Sequence, residues 1–118
     1  RSAGDFIYVD DVVEALLTAA RAPRATGRVI NVGSGEMLRM DELQRTAADL
    51  LKAPVVPGFP KQRDSRPVQL CAGTTLASEL LDFTPRVSVI AGIARVLRSL
   101  ADYEEPEPRA LAQAGRNE

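Results

Sequence analysis

The sequence has no histidine and no tryptophan, and Cys71 is its single cysteine. Without histidine there is no Ser-His-Asp triad, no histidine general base and none of the common zinc sites. One cysteine excludes an internal disulfide. No apolar run approaches the roughly 20 residues of a membrane-spanning helix, and no signal-peptide pattern opens the chain. We therefore expect a cytoplasmic protein with no metal site and no membrane partner.

Charge of one sign is also lacking, because 15 basic residues stand against 16 acidic ones. Domains that bind nucleic acid usually carry a basic excess, so a nucleic-acid partner is not expected. The chain has 118 residues, of which 45% are hydrophobic and 26% charged, as in one small globular domain. It begins at Arg1 without methionine and enters a strand-like segment almost at once. We therefore expect a piece of a longer protein.

The first half of the chain predicts two strands that alternate with two helices. Asp5–Val9 and Arg28–Val32 are rich in β-branched or aromatic residues and are expected to be strands. Apolar residues at helical spacing predict helices over about 11–21 and 40–52. The Asp10-Asp11 pair is interpreted as favourable negative charge at the start of the first helix.

The second half predicts an irregular stretch and two further helices. Residues 53–70 are rich in proline, which favours an extended connection. A short helix over about 76–81 is expected, with Thr74 or Thr75 as its N-cap, and Ser88 is expected to cap the last helix. Residues 104–118 are expected to form a flexible tail. The predicted fold class is α/β, with short strands packed on about four helices.

Two motifs that would carry catalysis or bind a cofactor are incomplete. Gly33-Ser34-Gly35 follows a predicted strand, but Leu38 stands where a dinucleotide-binding loop has its third glycine. Neither Tyr8 nor Tyr103 has a lysine four residues further on. We therefore predict no catalytic and no cofactor-binding residue in this stretch, and we interpret Cys71 as a small buried apolar residue.

A basic cluster lies in the proline-rich connection, where Lys61, Arg63 and Arg66 are close together in sequence. Arginine offers two parallel donors to a phosphate group. The residues alone leave two interpretations open, a site for a diphosphate and a solvated basic loop.

Three segments in register resemble extended short-chain dehydrogenases/reductases, the family of nucleotide-sugar epimerases and dehydratases. Asp5–Ala15 resembles their R-D-F-I-Y-V-D-D-V-x-x-A segment, and Val29–Gly35 resembles their Y-N-I-G-S-G segment. Arg63–Leu81, followed by Pro85–Ser88, is similar to their R-x-G-D … L-L-G-W-x-P stretch. The resemblance covers nearly all of residues 4–103.

The resemblance implies the smaller C-terminal, substrate-binding domain of such an enzyme, over residues 1–103, with the Rossmann half absent. Arg63 matches the arginine that binds the substrate diphosphate, and Arg66 shares that role if the alignment slips. Asn31 either lines the sugar pocket or hydrogen-bonds the neighbouring glycine turn, and Tyr8 is expected near the domain interface. Gly4 stands where the family has its first arginine, which removes one expected phosphate contact.

The resemblance also implies what the intact protein does. It would be an NAD- or NADP-dependent epimerase or dehydratase, hence an isomerase or lyase, acting on a nucleotide-diphosphate sugar. The missing N-terminal Rossmann half would hold the cofactor and the catalytic residues, while this stretch alone binds no cofactor and is not catalytic. A homodimer is compatible with the family. The alternative is a small stand-alone α/β module that binds a phosphate ligand or a protein without catalysis.

Overall fold

The computed structural model describes residues 2–55 and 69–102. Seven main elements follow one another along the described chain: β1 (Ala3–Asp5), α1 (Val9–Arg21), β2 (Met37–Arg39), α2 (Met40–Leu51), β3 (Gln69–Leu70), α3 (Thr75–Leu81) and α4 (Val89–Ala101). A single 3₁₀ turn, Pro23–Ala25, follows α1. The predicted α/β class and the four helices are confirmed. None of the helices in this part of the chain is long and apolar enough to cross a membrane.

The sheet has three short strands in the order β2-β1-β3. β1 pairs antiparallel with β2 and parallel with β3, so Gly4 lies between Leu38 and Leu70 at the centre of the sheet. The central strand β1 has the sequence Ala-Gly-Asp, and its small side chains leave room for the elements that lie beside it. The sheet therefore brings together three segments that are far apart in the sequence.

The helix predictions hold because their start and stop signals are local. Ser88 caps α4 as predicted, since its Oγ accepts a hydrogen bond from the Ala91 N–H at 3.2 Å. The N–H of Arg39, which precedes α2, donates to the Glu42 side chain at 3.1 Å. Thr74 occupies the N-cap of α3, but its side chain makes no capping hydrogen bond.

Both strands were predicted at the wrong positions in the sequence. The first strand is Ala3–Asp5 rather than Asp5–Val9, and α1 already begins at Val9. Asp5 is the last residue of the strand, and its side chain accepts hydrogen bonds from other segments, while Tyr8 is the extended N-cap residue of α1. Arg28–Val32 is not a strand, since it has no pairing partner among residues 2–55 and 69–102.

The core is small and lies where α1, α3 and the segment after α3 meet. Ala15, Ala77, Leu81 and Phe83 are buried there. Partly buried apolar residues surround them: Ile7, Ala19, Ala22, Ala25, Ile30 and Val32. The predicted tail, 104–118, lies outside the described residues.

Candidate functional site

A cavity of about 580 Å³ opens beside the central strand. It is lined by β1 and the residues that follow it, by 31–33, by Met40 and by the end of β3 with the two residues after it. Gly4 leaves space in this wall, because the nearest atom that an added Cβ would meet there is 3.6 Å away. The cavity therefore lies where the ends of β1 and β3 come together.

Asp5 ties three segments into the wall of this cavity. Its Oδ1 accepts hydrogen bonds from the N–H and the hydroxyl of Ser34, at 2.6 and 2.5 Å. Its Oδ2 accepts from the N–H of Gly35 at 2.9 Å and from the N–H of Ala72 at 3.1 Å. Since both carboxylate oxygens accept from the protein itself, Asp5 is a scaffold residue of the cavity.

The charge of Asp5 is stabilised by these donors. Burial raises the pKa of the carboxyl, but the hydrogen bonds from Ser34, Gly35 and Ala72 outweigh it, so the pKa lies below its ordinary value of 3.8. The carboxylate is therefore ionised at neutral pH. It brings a negative charge to the cavity wall, and an anionic ligand there requires cationic side chains as counter-charge.

Gly33 permits the close packing of the wall. A Cβ at this position would lie 2.5 Å from the Ala72 Cβ and 2.6 Å from Asp5 Oδ2. The Ala72 Cβ is attached directly to the backbone, and Asp5 Oδ2 is held by hydrogen bonds from Gly35 and Ala72, so a larger residue fits only if the wall shifts. Gly35 has a φ of +76°, a conformation that glycine adopts without strain. The sequence motif is therefore a tight turn around the Asp5 carboxylate.

Asn31 and Tyr8 border two different cavities. Asn31 lines the cavity beside β1, where it is exposed. Tyr8 lines a neighbouring apolar cleft of about 310 Å³ between α2 and α4. Phe6 and Ile7 line both cavities and separate the two residues. The structure therefore does not bring Asn31 and Tyr8 together around one pocket.

Tyr8 is held against α4. An added Cβ on Gly92 would lie 3.2 Å from Tyr8 Cδ2, which shows how closely the ring packs on this helix. The Arg95 guanidinium stands over the ring, 5.2 Å from its centroid, and also forms an ion pair with Asp10 at 3.3 Å. Such a cation–π contact helps to fix the orientation of the ring.

Asp11 is a structural residue that the sequence interpretation missed. The Asp10-Asp11 pair was interpreted as negative charge at the start of the first helix, and both carboxylates do lie in the first turn of α1. Asp11 is however only 5% exposed, and it accepts hydrogen bonds from the N–H groups of Arg86 and Val87 at 3.1 and 2.9 Å. No local signal marks this role, because the partners are 75 and 76 residues away.

The remaining candidates differ in what the structure says of them. Arg63 and Arg66 lie outside the described residues, and their assignment stays a prediction. The interpretation of Cys71 was wrong, since this residue is exposed. Its Sγ is 3.9 Å from Asp5 Oδ2 at the cavity wall. Within 2–55 and 69–102, no cluster of three histidine, cysteine or acidic side chains is placed to hold a metal ion.

Comparison with known proteins shows which proteins this chain resembles. Residues 2–33, which contain β1, α1 and the first glycine of the turn, match the model of the NAD dependent epimerase/dehydratase family. Over 95 residues, or 79% of its length, the chain is 36% identical to a UDP-glucose 4-epimerase of Mycolicibacterium smegmatis. The chain is similar to proteins of the NAD-dependent epimerase/dehydratase family. The resemblance to extended short-chain dehydrogenases/reductases is thereby confirmed.

Solved structures of family members share this fold. An epimerase from Methanothermobacter thermautotrophicus is 28% identical and superposes over 83% of the chain with a TM-score of 0.77. A UDP-glucuronic acid 4-epimerase from Bacillus cereus, in complex with UDP-glucuronic acid and NAD, is 26% identical over 81% of the chain with a TM-score of 0.70. The chain spans 29% of the length of the mycobacterial relative and 30 and 32% of these two structures.

Proposed function

We propose that this chain is the C-terminal, nucleotide-sugar-binding part of an NAD(P)-dependent epimerase or dehydratase. The observation that carries the proposal is the cavity beside β1 in a chain of this family. Leu70, Cys71 and Ala72 line the cavity, and they follow closely in sequence on the stretch that contains Arg63 and Arg66. The basic residues matched to the diphosphate arginine thus precede the cavity wall by only a few positions.

We assign different roles in this site to its acidic, basic and amide residues. Asp5 shapes the wall and uses its acceptors on N–H and O–H groups of the protein, so it has little left to offer a ligand. Diphosphate oxygens need charge-assisted donors, and we assign these to Arg63, with Arg66 as the second candidate. Asn31 at the cavity supplies an amide donor and acceptor suited to sugar hydroxyls. We retain Tyr8 as a candidate residue near the domain interface.

NAD or NADP would supply hydride transfer in the intact protein, and the glycine turn in the described part of this chain does not fit a dinucleotide. A dinucleotide-binding turn leads into a helix whose N-terminus faces the pyrophosphate. The Gly33–Gly35 turn leads instead into strand β2, and the Gly35 N–H already donates to Asp5. We therefore assign the cofactor and the catalytic residues to a Rossmann half outside this chain.

The remaining parts of the proposal follow from this assignment. We assign the binding domain to residues 1–103, and the predicted tail, 104–118, lies outside the described residues. The intact protein acts in the cytoplasm as an isomerase or lyase, and a homodimer is compatible with it.

The test measures binding of UDP-glucose to the full-length gene product by calorimetry. Arg63→Ala should lose the charge-assisted hydrogen bonds to the diphosphate, worth about 1.5–3 kcal/mol, so affinity should fall roughly 10- to 150-fold. Arg24→Ala, which removes an exposed guanidinium from the 3₁₀ turn, should bind like the wild type.

Three other results would count against the proposal. Unchanged affinity in Arg63→Ala would remove this residue from the site. A wild-type protein that binds none of a panel of nucleotide sugars would contradict the function as a whole. Equal affinity for inorganic diphosphate and UDP-glucose would favour the stand-alone phosphate-binding module.

A further inference from the structure

A further cavity, of about 560 Å³, adjoins the glycine turn. Gly33 lines the cavity beside β1, whereas Ser34 and Glu36 line this one, and Phe6 borders both. Residues 83–89, which lead from α3 into α4, form another part of its wall. A volume of this size is typical of sites for small molecules. We call it the hydroxyl cavity, after the hydroxyl-bearing residues that line it: Ser34, Thr74, Ser78, Thr84 and Ser88.

Three of these hydroxyl groups are not used by the described part of the chain. Ser34 and Ser88 use theirs within the protein, in the turn and at the start of α4. The hydroxyls of Thr74, Ser78 and Thr84 form no hydrogen bond with the described residues. Each can therefore donate one hydrogen bond to a ligand and accept another.

Glycine at position 35 leaves the Thr74 hydroxyl uncovered on the side of the turn. An added Cβ on Gly35 would lie 3.3 Å from Thr74 Cγ2 and 3.4 Å from Thr74 Oγ1. A larger residue there would crowd the hydroxyl group. Thr74 also makes no capping hydrogen bond for α3, so its hydroxyl is not used by the helix. The turn therefore leaves room for a ligand to reach this group.

Arg86 brings a positive charge to the hydroxyl cavity on a fixed backbone. The N–H groups of Arg86 and Val87 donate to the buried Asp11 carboxylate at 3.1 and 2.9 Å. Pro85, which precedes them, has a restricted φ. Arg86 is exposed, and its guanidinium forms no ion pair with the described residues. Because a guanidinium fork offers two parallel hydrogen bonds to a carboxylate, Arg86 is available to bind an anionic ligand.

The charges around the hydroxyl cavity limit the charge of its ligand. Among the described residues that line it, Arg86 and Glu36 are the only charged ones. A phosphate ester with two negative charges would have one arginine as counter-charge and would be repelled by Glu36. Glu36 can instead accept hydrogen bonds from hydroxyl groups of a ligand, and Phe6 offers an apolar surface to its carbon atoms. The wall therefore fits a small carboxylate that carries several hydroxyl groups.

We infer that the hydroxyl cavity is a second binding site, separate from the cavity beside β1, for a small polyhydroxylated carboxylate of the sugar-acid type. Arg86 binds the carboxylate of this ligand. Thr74, Ser78 and Thr84 bind its hydroxyl groups. The inference goes beyond the proposed function and does not rest on it, because none of these four residues lines the cavity beside β1.

Titration of the isotope-labelled full-length gene product with D-gluconate tests the inference. The amide signals of residues 74–88 in NMR spectra report where the ligand binds and whether each variant is folded. Gluconate should bind roughly tenfold or more tightly than sorbitol, which lacks the carboxylate, and than acetate, which lacks the hydroxyl groups.

Three variants show which residues hold gluconate. Arg86→Gln keeps the backbone contact with Asp11 but loses the charge-assisted hydrogen bonds, so affinity should fall roughly 10- to 150-fold. Thr74→Val keeps the shape of the side chain and loses one neutral hydrogen bond, so affinity should fall about 2- to 12-fold. Arg98→Gln alters an exposed arginine of α4 that does not line the cavity, and it should bind gluconate like the wild type.

The contrary results are distinct from one another. A wild-type protein that does not bind gluconate overturns the inference, and so does unchanged affinity in Arg86→Gln. Equal affinity for acetate and gluconate would mean that an exposed arginine attracts any anion, which also overturns it. Displacement of gluconate by UDP-glucose would place both in one cavity and contradict a second site. Binding of UDP-glucose alone decides the proposed function separately, because gluconate can bind whether or not the nucleotide sugar does.

Discussion

Asp5 and Asp11 direct their carboxylates at main-chain N–H groups rather than at solvent. Asp5 accepts from Ser34, Gly35 and Ala72, and Asp11 accepts from Arg86 and Val87. An ionised acceptor makes a stronger hydrogen bond to an N–H group than a neutral one. Two short acidic side chains therefore connect segments that small strands and a small core would hold only weakly.

Asp5→Asn should destabilise the protein by about 1.5–3 kcal/mol, the range for hydrogen bonds to a charged group. An amide offers one oxygen where the carboxylate offers two, and its NH₂ group would face N–H donors. Urea unfolding at pH 7 measures the difference. Asp49→Asn, an exposed carboxylate on α2, should change stability by less than about 0.5 kcal/mol. Equal effects of the two changes would show that the Asp5 contacts contribute nothing specific.

The stability contributed by Asp5 should also depend on pH. Its pKa is lower in the folded than in the unfolded state, so the contribution is complete above the ordinary value of 3.8. It is lost as the pH falls from there through the lower, folded-state pKa. Unfolding curves between pH 2 and 6 should show a smaller acid-dependent loss in Asp5→Asn than in the wild type. Parallel pH profiles for the two proteins would contradict this.

Gly33→Ala should cost about 1–3 kcal/mol, because the new methyl group overlaps Ala72 and the Asp5 carboxylate. Gly73→Ala is the matched control, since nothing lies within 4 Å of a Cβ at that position. Thermal unfolding of both variants checks the contrast. A harmless Gly33→Ala would mean that the turn has room that the structure does not show.

At the scale of elements, the helices could be predicted from sequence better than the strands. Ser88 caps a helix through a bond to the third residue after it, so its signal is local. A strand is defined by its partner, and Arg28–Val32 has the composition of a strand but no partner within the described chain. The sequence likewise offered no sign that Met37–Arg39 and Gln69–Leu70 would pair with β1.

The connection between α1 and the segment before α4 depends on Asp11. Asp11→Asn should destabilise the protein by about 1–3 kcal/mol, since it replaces a buried side chain whose two oxygens each accept a hydrogen bond from an N–H group. Asp10→Asn alters the neighbouring carboxylate, whose exposed ion pair with Arg95 is worth less than about 1 kcal/mol. Chemical denaturation of the two variants should rank them clearly. A larger loss in Asp10→Asn would reverse the assigned roles.

At the scale of the whole molecule, the family was predictable from three segments in register, although each segment alone is weak. Much of the wall of the candidate site was not predictable. Asp5 stood in a predicted strand, but its donors come from residues 34, 35 and 72, and contacts at that separation leave no local pattern. Several apolar residues of α1, among them Val9 and Leu16, are exposed in the described chain, and no local sequence pattern distinguishes them from core residues.

The large sequence separation between Asp5 and its hydrogen-bond partner has a consequence for folding during synthesis on the ribosome. Its partner Ala72 is 67 residues downstream. At a synthesis rate of roughly 5–20 residues per second, Ala72 is joined to the growing chain some 3–13 s after Asp5. The wall of the cavity therefore cannot close while β1 and α1 first leave the ribosome. In that interval the nascent chain lacks both the hydrogen bond from Ala72 to Asp5 and the strand that pairs with β1 on this side.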